Sequence, residues 1–158
     1  MADARFEDGE DGPLNLVARD GDDLSVISAL VQDAVLTGAD VTWQRQKRRF
    51  ACLINRFRWE DRAAAEAVRR PYERVRSLLV IEDALAVRSQ GIDRGDGETV
   101  LSILSLTWEA GEDGTGVLTL ILAGDGAVRV EVEALEVTLH DVTRPYVAPS
   151  RRKPEHRD

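Results

Sequence analysis

The stretch from Gly116 to Val142 limits what this chain can become more than any other. Val117-Leu118-Thr119-Leu120-Ile121-Leu122-Ala123 is apolar at almost every position and runs into Gly124-Asp125-Gly126. Glycine and aspartate tolerate a positive φ, so this triplet closes two antiparallel strands tightly. On the return, Val128, Val130 and Val132 share one face while Arg129, Glu131 and Glu133 share the other, because side chains alternate along a strand. After Ala134 the apolar set moves to Leu135, Val137 and Leu139. A regular strand would turn inside out at such a slip, so a bulge is expected near Ala134. The outgoing strand, apolar on both parities, is expected either to be central and covered on both faces or to belong to a sheet that curls over itself.

The preceding chain supplies the other strands. Pro13 to Ala18 alternates, with Leu14, Leu16 and Ala18 on one face. From Asp22 the period changes: Leu24, Ile27, Leu30, Val31 and Ala34 fall at helical spacing, with Asp22 or Asp23 placed to cap the first turn. One main helix is therefore expected near 22–34, its apolar stripe on the sheet, and Thr37-Gly38-Ala39-Asp40 breaks the chain after it. Val41 to Gln46 and Arg49 to Glu60 read as a hairpin turned near Lys47-Arg48. Phe50, Cys52 and Ile54 share one face and Ala51, Leu53, Phe57 and Trp59 the opposite parity, so the second arm is expected to be central or strongly bent. Asp61 to Arg70 reads as a short helix or a connector stopped by Pro71. Val75 to Ile81 and Ala84 to Gly91 read as another hairpin, turned at Glu82-Asp83. Thr99 to Glu109 is a further strand, with Val100, Leu104, Leu106 and Trp108 on one face.

The expected fold is α+β: about eight strands, mostly antiparallel, in a curved sheet or partly closed barrel, with a pleckstrin-like half-barrel as the alternative. Residues 1–12 read as an acidic mobile tail, 13–142 as a single domain, and 143–158 as an extended tail rich in proline and arginine. At 158 residues the chain is long enough for one ordinary core. It contains no apolar run of roughly 18 residues, and its first residues lack the basic and apolar regions of a secretory leader. A cytoplasmic protein that does not enter membranes is expected. Its one cysteine, Cys52, fits a reducing compartment and reads as core filler rather than a nucleophile.

The chemistry is mostly negative. Gly95-Asp96-Gly97 and Gly124-Asp125-Gly126 join strands, so they do not cradle phosphate at a helix N-terminus. His140 and His156 have no zinc-type spacing around them. No catalytic residue, metal or cofactor is expected. The best polar cluster is His140-Asp141 with Arg144, readable as a general base or as a solvated surface pair; neighbours on a strand point oppositely, so His140 and Asp141 would not act together.

The charge map offers more. The chain carries a net charge of −8, yet residues 45–76 hold 11 basic residues against 4 acidic ones. Arg45, Lys47, Arg48 and Arg49 cluster at the turn, Arg56 and Arg58 follow, and Trp43, Phe57 and Trp59 are interleaved. Arginines beside aromatics suit a protein contact surface, and they also suit single-stranded nucleic acid, although the acidic remainder repels a polyanion. The bland alternative is mutual neutralisation, with the arginines crossing to carboxylates such as Glu131 and Glu133 on adjacent strands.

Three stretches carry a resemblance: Arg48-Arg49-Phe50 through Asn55-Arg56-Phe57-Arg58-Trp59-Glu60, Tyr72-Glu73-Arg74-Val75-Arg76-Ser77-Leu78-Leu79, and Leu139-His140-Asp141-Val142-Thr143-Arg144-Pro145. Together they resemble a family of uncharacterised proteins, found chiefly in alphaproteobacteria, filed as a domain of unknown function. The resemblance implies a bacterial cytoplasmic setting and one compact domain, and it supplies no activity and no ligand residues. The first functional expectation is thus a non-enzymatic interaction module whose basic and aromatic hairpin (Arg45, Lys47, Arg48, Arg49, Arg56, Arg58, Trp59) meets a protein or a second copy of the chain. Nucleic-acid binding is the second expectation, and a small-ligand or enzyme site near His140 the third.

Overall fold

The computed structural model describes residues 12–92 and 97–147. Residues 1–11, 93–96 and 148–158 lie outside the described residues, and with them almost all of the acidic tail and most of the proline-rich one. In chain order the strands are β1 (Asn15–Ala18), β2 (Val35–Thr37), β3 (Val41–Gln44), β4 (Arg49–Phe57), β5 (Glu73–Ile81), β6 (Ala84–Gln90), β7 (Val100–Ala110), β8 (Gly116–Leu122), β9 (Ala127–Val132), β10 (Val137–Asp141) and β11 (Tyr146–Val147). The helices are α1 (Gly21–Leu30) and α2 (Arg62–Ala67). All strand pairs are antiparallel, in the order β1-β10-β5-β4-β2-β7-β8-β9-β6, with β3 beside β4 and β11 beside β5. The sheet does not close, since β1 and β6 end its path.

The fold is α+β and mostly antiparallel, but with 11 strands rather than eight and with short helices. Helix α1 stops at Leu30 instead of Ala34, and its cap is Asp20, whose Oδ1 accepts the Asp23 N–H at 2.8 Å. The stop has a local cause. Asp33 takes a positive φ of 63°, its N–H bonds to the Ile103 carbonyl, and the chain then turns into β2, a strand too short to stand out in the sequence. Leu24, Ile27 and Leu30 still bury the expected stripe. The β8–β9 hairpin closes as expected, through positive φ at Gly124 (80°) and Asp125 (67°). Strand β8 is buried only at Leu118, Leu120 and Leu122, so it is covered on one face rather than two.

Two expected hairpin features are replaced by sheet changes. The long return strand does not bulge at Ala134; it ends at Val132, and after four residues resumes as β10 between β1 and β5. Likewise β5 and β6 do not pair. Both edges of β5 are occupied, by β4 and by β10, so the chain turns at Asp83 (φ 55°) and β6 joins β9. The two crossings meet: Glu82 N–H bonds the Glu136 carbonyl and Glu133 N–H bonds the Asp83 carbonyl. In β7 a register shift between Ile103 and Ser105 swaps the faces. Val100 and Leu104 consequently lie exposed, while Ile103 and Leu106 are buried.

Inner-face residues from both ends of this path share one core. Phe50, Cys52 and Ile54 of β4 pack in the same cluster as Leu118 to Leu122 of β8, Val128 to Val132 of β9, and Leu24, Ile27 and Leu30 of α1. The sheet is therefore folded back on itself. Cys52 is fully buried, as core filler, and that burial together with the nearby Asp40 charge pushes its thiol up to about 12. No described helix is long and apolar enough to cross a membrane.

Candidate functional site

Strand β4 carries two different environments on one face. Alternation puts Phe50, Cys52, Ile54 and Arg56 on the same inward side. At a rise of roughly 3.3 Å per residue, Phe50 and Arg56 stand about 20 Å apart. Around Arg56 lies an ionic cluster; around Phe50 lies a cavity.

Arg56 is fully buried. Its guanidinium donates to Glu60 through both Nη atoms at 2.8 Å, to Asp141 Oδ1 at 3.0 Å, and from Nε to Ser77 Oγ at 2.9 Å. Asp141 also accepts the Ser77 hydroxyl at 2.7 Å and the Leu14 N–H at 2.9 Å. Burial works against the charged guanidinium, but the hydrogen bonds and fields of Glu60 and Asp141 outweigh it and hold its pKa above the ordinary arginine value. Next to this unit, Arg58 Nη1 donates to Glu73 at 2.6 Å and lies 3.5 Å from Asp61. Arg70, just past α2, clasps Asp61 through both Nη atoms at 2.5 and 2.6 Å. Three arginines and four carboxylates thus pair with one another where β4, β5, β10 and the end of α2 meet. The sequence Arg56-Phe57-Arg58-Trp59-Glu60-Asp61 is written for this junction.

The cavity lies at the other end of β4. It measures about 450 Å³ and is walled by Leu36 of β2, Val41 and Trp43 of β3, Phe50 of β4, Val87 and Ser89 of β6, Leu101 of β7, Leu120 and Leu122 of β8, and Val128 of β9. Strands β3 and β6 stand on either side of it, and each is paired along one edge alone among the described strands. Their near approach is fixed at one end, where the Ala84 N–H bonds the Arg48 carbonyl in the β3–β4 turn. Among the described residues the wall contains a single charged side chain, Arg45, which continues the inward parity of Val41 and Trp43 beyond the end of β3.

The sequence-derived surface therefore divides. Arg45, Lys47 and Arg48 are exposed at the turn, and Arg49 is half-buried. Arg48 pairs with Glu133 at 3.0 Å and Arg49 with Glu82 at 2.5 Å, the neutralisation across strands that the charge map allowed. Arg56 and Arg58 do not belong to any surface, being buried in the ionic cluster. Trp59 is also committed internally: its Nε1 donates to the Gln32 carbonyl at 3.0 Å, and its ring meets Phe57 edge-on at 4.6 Å. The His140 cluster comes apart. Asp141, far from being a solvated surface partner, has a side chain 3% exposed, His140 faces the other side of β10, and Arg144 is exposed. None of the three lines the cavity.

Sequence reasoning missed the cavity, since its walls come from seven strands whose order is not local. One signal was present: an arginine at a core-facing parity, after Val41 and Trp43, as Arg56 follows Phe50, Cys52 and Ile54. Such an arginine needs buried carboxylates or an opening. Arg56 has the first, Arg45 the second.

A family model described as "Protein of unknown function (DUF2948)" matches residues 14–156. No curated protein and no solved structure matches.

Proposed function

Because the chain belongs to the DUF2948 family, whose description names no activity, the reading rests on geometry, and we propose a non-enzymatic binding protein for a small, mainly apolar molecule. The cavity carries this reading. Its 450 Å³ falls within the roughly 300–1,000 Å³ of small-molecule sites, and such sites are walled, as here, by apolar and aromatic side chains with few polar groups. A folded-back sheet that has one unpaired strand edge on each side of the opening supplies an entry route. The neutral dye N-phenyl-1-naphthylamine tests it: fluorescence should rise saturably with wild type, and Leu120→Trp, which fills the cavity from β8, should abolish the rise while leaving the circular dichroism unchanged. A dye response that is absent, or indifferent to Leu120→Trp, would sink the reading.

A protein contact at the β3–β4 turn is a second reading, favoured by one observation. Arg45 and Lys47 stand exposed there, with no ion pair to any described residue. Charge reversal at Lys47, Arg48 and Arg49 should then remove co-purifying protein from a native lysate treated with nuclease. Material lost to nuclease alone, with affinity that falls steeply as salt rises, would favour nucleic acid instead.

A further inference from the structure

We infer that the cavity's ligand carries a single anionic head, a carboxylate or a phosphate monoester on an apolar body, which Arg45 receives at the cavity rim. The inference rests on the cavity reading and narrows it. Four basic residues crowd the β3–β4 turn, and their surroundings differ. Arg48 is matched by Glu133 and Arg49 by Glu82, whereas Arg45, which lines the cavity, meets no carboxylate among the described residues. Among the described residues the remaining wall contains no aspartate or glutamate to neutralise it. A guanidinium offers a fork of donors whose geometry matches two oxygens of a carboxylate or phosphate. Behind it, in the same inward parity, stand Trp43 and Val41, and across the cavity Leu120 and Leu122, so charge and apolar surface follow one another along a single axis. An amphipathic molecule with one anionic head satisfies both. A neutral lipid would leave the guanidinium without a partner, and a small polar anion would leave the apolar walls unused.

Displacement of bound N-phenyl-1-naphthylamine by decanoate, decyl phosphate and decanol separates the possibilities. These probes share one chain length and differ in the head. Because Arg45 is exposed and its ion pair screened, the expected preference of wild type for decanoate or decyl phosphate over decanol is about three- to tenfold. Arg45→Gln should bind decanol as wild type does and lose the preference, while Arg144→Gln, an exposed arginine remote from the wall, should keep it. Whichever anion displaces more strongly names the head group. Equal displacement by decanol and the anions, or a preference that survives Arg45→Gln, overturns the anionic head and leaves the apolar cavity reading standing. Failure of every probe, with no dye bound, overturns both.

Discussion

Replacing Arg56 with methionine tests the ionic cluster most directly. Methionine keeps much of the volume and removes the charge, so the packing loss is small and the electrostatic loss large. Two carboxylates, Glu60 at 1% and Asp141 at 3% exposure, then stay buried without their cation. Breaking a buried pair by deleting one partner costs about 3–5 kcal/mol, and that range applies although Glu60 keeps Arg58 Nε at 3.7 Å. For a domain of this size, at about 2–4 °C per kcal/mol, the midpoint should fall by roughly 6–20 °C. Urea unfolding followed by tryptophan fluorescence and by circular dichroism would measure it, with coincident transitions as the check on two-state behaviour. The second arm is Arg56→Met/Glu60→Met. Since it removes one orphaned carboxylate, the double variant should recover about 1–3 kcal/mol relative to Arg56→Met. Asp141 keeps its bonds from Ser77 and Leu14 and is left in place. An Arg56→Met variant within about 1 kcal/mol of wild type, or a double variant whose loss equals the sum of the single ones, would refute the account.

Other outcomes follow from the same coordinates. Hydrogen bonding from Arg70, with the charges of Arg58 and Arg70, outweighs desolvation and holds Asp61 below the usual aspartate range, so its contribution is present at neutral pH and is lost as pH falls through the lowered folded value. Arg70→Gln should therefore cost about 1 kcal/mol at pH 7, discounted for the partly exposed Arg70, and the gap to wild type should close below about pH 4; a gap that widens in acid contradicts the sign. Arg58 remains beside Asp61 in that variant, so part of the acid sensitivity should persist. Cys52, fully buried with its thiol raised to about 12, should react with a thiol reagent at pH 8 no faster than the protein unfolds. Rapid labelling of folded protein would show that the β4 core opens.

The sequence and the fold agree where the controlling physics is local. Alternation grouped Phe50, Cys52 and Ile54 on one face, and Val128, Val130 and Val132 on another, and all six are buried. The Gly124-Asp125 turn closes the hairpin it promised. The expected faces failed where a single residue changed register: in β7 the shift after Ile103 reversed Val100 and Leu104, and at Ala134 an expected bulge became a change of sheet. A one-residue slip reads alike in sequence whichever device absorbs it. The basic segment divided for a similar reason. Arg56 and Arg45 both continue an apolar parity, and nothing near either residue says whether a carboxylate waits opposite.

The sequence by itself determined the antiparallel strand character, the apolar stripe of α1 and the alternation of faces along each regular strand, since period and turn chemistry belong to neighbouring residues. Strand order belongs to none of them. It filled both edges of β5 with β4 and β10, brought Asp141 and Ser77 across from Arg56, and sent β6 to β9. Those pairings enclose one arginine among carboxylates and leave the other beside an apolar cavity, because what a side chain meets is set by strands distant along the chain.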